Sequence, residues 1–222
     1  MITKEPYIAD VVTVVIITGS ENSIILNRDF LKANKIVPNS WKVTEALSIP
    51  IMSKVVFENG FRFVSEPGRI LVEEPSEKDG NFKKSYSVHA RSGKLLKKLP
   101  HLKVNGIGLN CRIIWKKDDA NKWLLDRFLN KSAWSDQEPK LESALFKFLF
   151  DGCSDWKLGL DLKPGSFRNK YSGDKIEGVY IDCNFHHTGP MQGDKAQLII
   201  STWPSLEKKL IKKLNRLFSE KK

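Results

Sequence analysis

The stretch KVVFENGFRFVSEPGRILV, residues 54–72, decides how the chain is read. Lys54 to Phe57 is a strand-like run. Asn59-Gly60 after it is the strongest short hairpin signal, because both central residues of a type I′ turn need positive φ. Phe61 to Val64 returns, Pro67-Gly68 turns the chain again, and Arg69 to Val72 makes a third strand. A compact antiparallel meander is expected here.

Upstream, strands are expected at Asp10 to Thr18 and Ser23 to Leu26. The apolar run Val11 to Ile17 is too short for the h-region of a signal peptide or for a membrane span of about 20 residues. Asn27 can cap a short helix carrying Phe30, Leu31 and Ala33, which Lys35 to Pro38 ends. Ile36, Val37 and Trp41 are packing anchors of the loop that follows.

Downstream, the period becomes helical over Gly80 to Leu99. Phe82, Tyr86, His89/Ala90, Gly93 and Leu96 form an inward stripe. Lys84, Arg91, Lys94 and Lys98 fall within roughly 80° of arc on the other side. Gly93 weakens a helix interior by about 1 kcal/mol, which signals close packing or a break there. Pro100 stops the helix, and Lys103 to Trp115 is a strand. A second helix runs from Asp118/Asp119 through Asn130. Strand-like stretches follow at Ala144 to Phe150, Trp156 to Leu162, Gly178 to Phe185 and Gln197 to Thr202. Leu206, Leu210, Leu214 and Leu217 mark a closing helix. The expected fold is α+β, with a mixed, largely antiparallel sheet and packed amphipathic helices. Two related α+β halves are expected, 1–117 and 118–222, within what can be one continuous domain.

Charge is concentrated. The chain has 222 residues, 41% of them hydrophobic, and a formal net charge of +11. Residues 80–117 carry ten Lys and Arg and no Asp or Glu, and Pro204 to Lys222 carries seven cations against two acids. Both segments contain an amphipathic helix. Lys84, Arg91, Lys94 and Lys98 on the first, with Lys209, Lys212, Lys213 and Arg216 on the last, make a surface suited to an anionic partner. That partner is a nucleic acid or an acidic protein. A membrane surface is not expected, because the leucines of the closing helix are needed for the core. No cofactor is implied, and the oligomeric state is not readable.

Other chemistry is sparse. Asn184-Phe185-His186-His187 after Asp182 is the most enzyme-like cluster, but adjacent strand residues point to opposite faces and cannot share one ion. Asp161-Leu162-Lys163 has the acid-x-Lys spacing of a metal-dependent nuclease, with Asp151 or Asp155 as an upstream acid. Glu73-Glu74 reads as edge-strand charge. Gly106-x-Gly108 lacks the third glycine and following helix of a dinucleotide loop. Cys111, Cys153 and Cys183 are odd in number and scattered, as buried reduced thiols of a cytoplasmic protein are. No catalytic residue or metal ligand is assigned.

Three segments taken together carry a likeness. These are Phe57-Glu58-Asn59-Gly60 with Glu66-Pro67 and Arg69, Leu99-Pro100-His101 through Gly106-Ile107-Gly108-Leu109-Asn110, and Asn184-Phe185-His186. In them the chain resembles a family of bacterial hypothetical proteins with no established activity. The resemblance implies a prokaryotic, cytoplasmic setting and transfers no catalytic role. The expected function is non-catalytic nucleic-acid binding through basic amphipathic helices. The alternatives are a regulatory subunit docking an acidic protein and a metal-dependent nuclease using Asp161 and Lys163.

Overall fold

The computed structural model describes residues 7–19, 26–75, 87–129, 141–151, 156–168 and 173–219. The expected strand at Ser23 to Leu26 and the start of the first basic helix, with Phe82, Lys84 and Tyr86, fall wholly or mostly outside them. By internal contacts the chain divides into two compact units. One is formed by Met1–Thr13, Glu74–Lys84 and Asn110–His187, the other by Val14–Glu73, Ser85–Leu109 and Thr188–Lys222.

Nine strands form one sheet. They are β1 (Tyr7–Thr18), β2 (Val43–Ile49), β3 (Met52–Phe57), β4 (Arg62–Glu66), β5 (Arg69–Pro75), β6 (Val104–Lys116), β7 (Phe146–Asp151), β8 (Trp156–Arg168) and β9 (Lys175–Met191). Their order is β2-β3-β4-β5-β1-β6-β9-β8-β7. Five helices are described: α1 (Arg28–Ala33), α2 (Val88–Lys97), α3 (Ala120–Phe128), α4 (Gly193–Ser201) and α5 (Trp203–Phe218).

This corrects the expected α+β fold with a mixed sheet: the molecule is dominated by one large antiparallel sheet. Two causes account for the error. First, no strand is expected over β2, because nearly all of it is exposed and no buried alternation marks it. Second, β8 and β9 extend past their apolar stretches as a ribbon polar on one face, where Ser166 pairs with Glu177 and Arg168 with Lys175, and apolar on the other at Phe167 and Ile176. A separate correction runs the other way: Gln197 to Thr202 is helix through Ser201, not strand. Its isoleucines favour a strand locally, but Gly193, Ala196 and Ile200 are buried at helical spacing, and that packing prevails.

The 54–72 meander is present as β3-β4-β5, in unbroken antiparallel register. Its first turn is not type I′, since Gly60 has φ 81 while Asn59 is not among the positive-φ residues. Gly60 N–H donates to Phe57 O and Phe57 N–H to Phe61 O, closing a three-residue loop with glycine in the left-handed position. Asn59 serves through its side chain, whose Oδ1 accepts from Phe61 N–H at 3.1 Å. At the second turn Gly68 has φ 80 directly after Pro67, the order of a type II turn.

The unit containing this meander buries an aromatic cluster. Phe57, Phe61 and Phe63 are almost wholly buried, and Trp41 lies 5.3 Å from Phe57 and 5.2 Å from Phe61. Asn27 caps α1, its Oδ1 accepting from Phe30 N–H. At the other end Lys35 takes the left-handed conformation, φ 53. Ile36 N–H then reaches Leu31 O, and Lys35 N–H reaches Lys32 O. These are the two bonds of a Schellman turn. In the same unit α2 packs closely on α4. A Cβ on Gly93 would stand 3.2 Å from Gln197 Cγ, so this glycine marks close packing and not a break.

The other unit has its own core. Leu158, Leu160 and Leu162 of β8 share a buried face with Ile181, Cys183 and Phe185 of β9, their register partners. Here α3 contributes Trp123, 4.8 Å from Trp115, and Phe128, 5.2 Å from both Phe146 and Phe148.

Candidate functional site

The closing helix follows from its sequence. Pro204 occupies the first turn, where its missing N–H costs no hydrogen bond. Trp203, Leu206, Leu210, Leu214 and Phe218 are buried along one side. On the other side Lys209, Lys212 and Arg216 are exposed, and Lys213 is half-buried at the border. These four stand at i, i+3, i+4 and i+7, neighbours on one helical face. Their cations are held apart from the leucine seam, which makes α5 a rigid mount for a row of positive charge.

The first basic helix is built differently. Val88, Ser92, Gly93, Leu95 and Leu96 are buried, so its inward arc lies nearer to Arg91 than the expected stripe did, and Ala90 is exposed. Arg91 is consequently half-buried and taken up by structure. Its guanidinium carbon lies 4.3 Å from the Trp41 ring centroid and 5.3 Å from that of Phe61. Its Nη1 donates to Ile36 O at 2.9 Å, and its Nε donates to Ser87 Oγ at 3.3 Å. The Schellman turn after α1 aims that carbonyl, and Arg91 ties the turn to α2. Of the four cations expected on this stripe, Lys84 lies outside the described residues, Arg91 is internal, and Lys94 and Lys98 are exposed.

Lys98 also lines a cavity of about 230 Å³ that sequence reasoning missed. Leu26, Ile70 and Leu102 form apolar wall, and Ser65, Glu66 and His101 bring polar groups to it. The Leu99-Pro100-His101 loop was the available signal, since a proline that stops a helix must send the chain across something.

The nuclease-like residues lie on the exposed side of the sheet in the other unit. Asp161 and Lys163 share that face. Asp161 pairs with Lys147 at 3.7 Å, and Lys163 Nζ sits 5.0 Å from the Tyr180 ring centroid. Asp161 stands opposite Asp182, which in turn meets Arg112 at 3.5 Å. The result is a row of charges across β6, β9, β8 and β7 in which each acid has a neighbouring cation. Among the described residues no group of three or more His, Cys, Asp or Glu gathers.

His186 and His187 point to opposite faces, as adjacent strand residues must. His187 is buried, its ring centroid 5.6 Å from that of Trp156, while His186 is half-exposed opposite Lys157. Glu73-Glu74 is not edge-strand charge, because β5 lies between β4 and β1. Glu73 binds Arg62 on the neighbouring strand, and this hydrogen bond raises the guanidinium pKa above its ordinary value. Cys111 and Cys183 are buried free thiols, and Cys153 lies outside the described residues.

No helix among the described residues is long and apolar enough to cross a membrane. No family model, no curated protein and no solved structure matches the chain.

Proposed function

We propose that this protein is a non-catalytic binder of nucleic acid in a bacterial cytoplasm, gripping the phosphate backbone with the exposed face of α5. Lys209, Lys212, Lys213 and Arg216 make the main contacts, and Lys94 and Lys98 of α2 add to them. The observation that carries this reading is the division of α5 into a buried leucine seam and an exposed cationic row. A helix whose apolar side is already in the core cannot lay that side into a bilayer without leaving the fold. Its charge remains available for phosphates, whose neutralisation releases counterions.

The test is binding to arbitrary duplex and single-stranded DNA or RNA across a salt series. Six phosphate contacts give a slope of log affinity against log salt on the order of −5 for a duplex. No binding at low salt would remove the proposal. Cleavage of the probe with magnesium or manganese, lost in Asp161→Ala, would replace it with the nuclease alternative.

A second reading has an observation of its own. Leu198 on α4 is 69% exposed, a large apolar side chain on the helix directly preceding the basic one. An acidic protein segment with an apolar anchor would use both features, whereas a phosphate backbone has no use for the leucine. Leu198→Ser therefore discriminates: it leaves nucleic-acid binding unchanged and weakens capture of a protein partner.

A further inference from the structure

β7 ends the strand order, so among the described residues one side of it has no hydrogen-bonding strand. Such an edge is either blunted or used. β7 reads FKFLFD, contains no proline, and pairs with β8 in unbroken register from Phe146↔Leu162 to Asp151↔Lys157. Side chains alternate along it. Phe146, Phe148 and Phe150 lie on the side of α3 and are only half-buried, while Lys147, Leu149 and Asp151 are exposed on the other. Leu149 is 73% exposed, more than any other large hydrophobic among the described residues. Asp151 has no ion pair among them, and the pair of Lys147 with Asp161 is loose at 3.7 Å.

We propose that β7 is a dimerisation strand, pairing antiparallel with β7 of a second copy of this chain about a two-fold axis at Leu149. The sequence is self-complementary in that register. Lys147 faces Asp151 of the second copy, and Asp151 faces Lys147 of the second copy. Leu149 meets its own counterpart, and Phe148 stands beside Phe150 of the second copy on the opposite side. Directly opposed residues of an antiparallel pair share a face, so the axis must pass at a residue and not between two. An axis at Phe148 sets Lys147 against Leu149, and an axis at Lys147 sets lysine against lysine. The axis at Leu149 matches the charges and also closes over the exposed leucine. Such a contact is isologous, satisfies both edges at once, and cannot propagate into a fibre through this strand.

The proposal is tested by sedimentation equilibrium on the full chain, from about 1 to about 200 µM, the range in which a small interface associates. A reversible monomer–dimer equilibrium is expected. Leu149→Lys places two lysines at the axis and leaves only monomer. Lys147→Glu and Asp151→Lys each set two like-charged pairs across the strands, and each weakens the dimer about tenfold. An equimolar mixture of those two variants restores wild-type association, because both cross-strand pairs are then opposite in sign. All three positions are exposed, and unchanged far-UV circular dichroism confirms folding. A wild type that stays monomeric throughout would overturn the proposal. So would a dimer indifferent to Leu149→Lys, or a mixture that fails to associate.

Discussion

The two basic helices, α2 and α5, look alike in sequence and are used differently. Each alternates apolar and cationic positions at helical spacing. Along α5 the division is clean: five apolar side chains are buried, and three of the four cations of interest are exposed. Along α2 the arginine that belongs to the charged stripe is drawn between Trp41, Phe61 and a backbone carbonyl. A guanidinium is weakly hydrated and stacks on aromatic rings, so it can be structural where an ammonium would stay in water. Counting charge on a helix therefore overstates the surface it offers when one of the cations is an arginine near an aromatic cluster.

Mutations at the two helices should separate these roles. The largest effect is expected from reversing Lys209, Lys212 and Arg216 to Glu together. Nucleic-acid affinity at low salt should fall on the order of a thousandfold while the melting temperature hardly moves, by fluorescence anisotropy and calorimetry. Arg91→Ala should do the converse. It removes a cation–π contact and a hydrogen bond to a carbonyl, lowering stability by about 2 kcal/mol in urea unfolding with binding intact. A loss of binding without a loss of stability would mean that Arg91 belongs to the surface after all. Lys94→Gln with Lys98→Gln should weaken binding about tenfold, flatten the salt slope by about two, and leave stability alone. The smallest effect belongs to Gly93→Ala. The gain in helix propensity of about 1 kcal/mol is opposed by the displacement of Gln197, whose Cγ lies 3.2 Å from the new Cβ. The net change should stay within about 0.5 kcal/mol by the same unfolding experiment, because a flexible glutamine can move aside.

The elements legible in the sequence were those whose signals are local. The 54–72 meander is punctuated by Asn59-Gly60 and Pro67-Gly68, and α5 by four leucines and a proline at its start. The turn chemistry was less legible than the turn position, since Gly60 alone takes the positive φ and Asn59 works through its side chain. β2 was invisible because it pairs on one side only and is exposed on both faces. α4 was misread because its isoleucines carry strand propensity, while the glycine and alanine that let it approach α2 announce nothing on their own. Within the candidate site the lysines of α5 were readable from spacing. The burial of Arg91 was not, because it depends on Trp41 and Ile36, which reach α2 only through the tertiary fold.

Cys111 and Cys183 lie on the adjacent strands β6 and β9, both buried, and burial raises the Cys183 thiol well above its ordinary value of 9.0 with smaller contributions from Cys111 and Asp182. Because the reactive species is the thiolate, these two thiols, while buried, present almost nothing to an alkylating reagent at neutral pH. In a Cys153→Ser background, labelling can occur only when the middle of the sheet comes apart. Its rate, followed against denaturant, becomes a clock for the opening of β6 from β9. The two thiols would thus report whether these strands open on their own or only when the whole molecule unfolds.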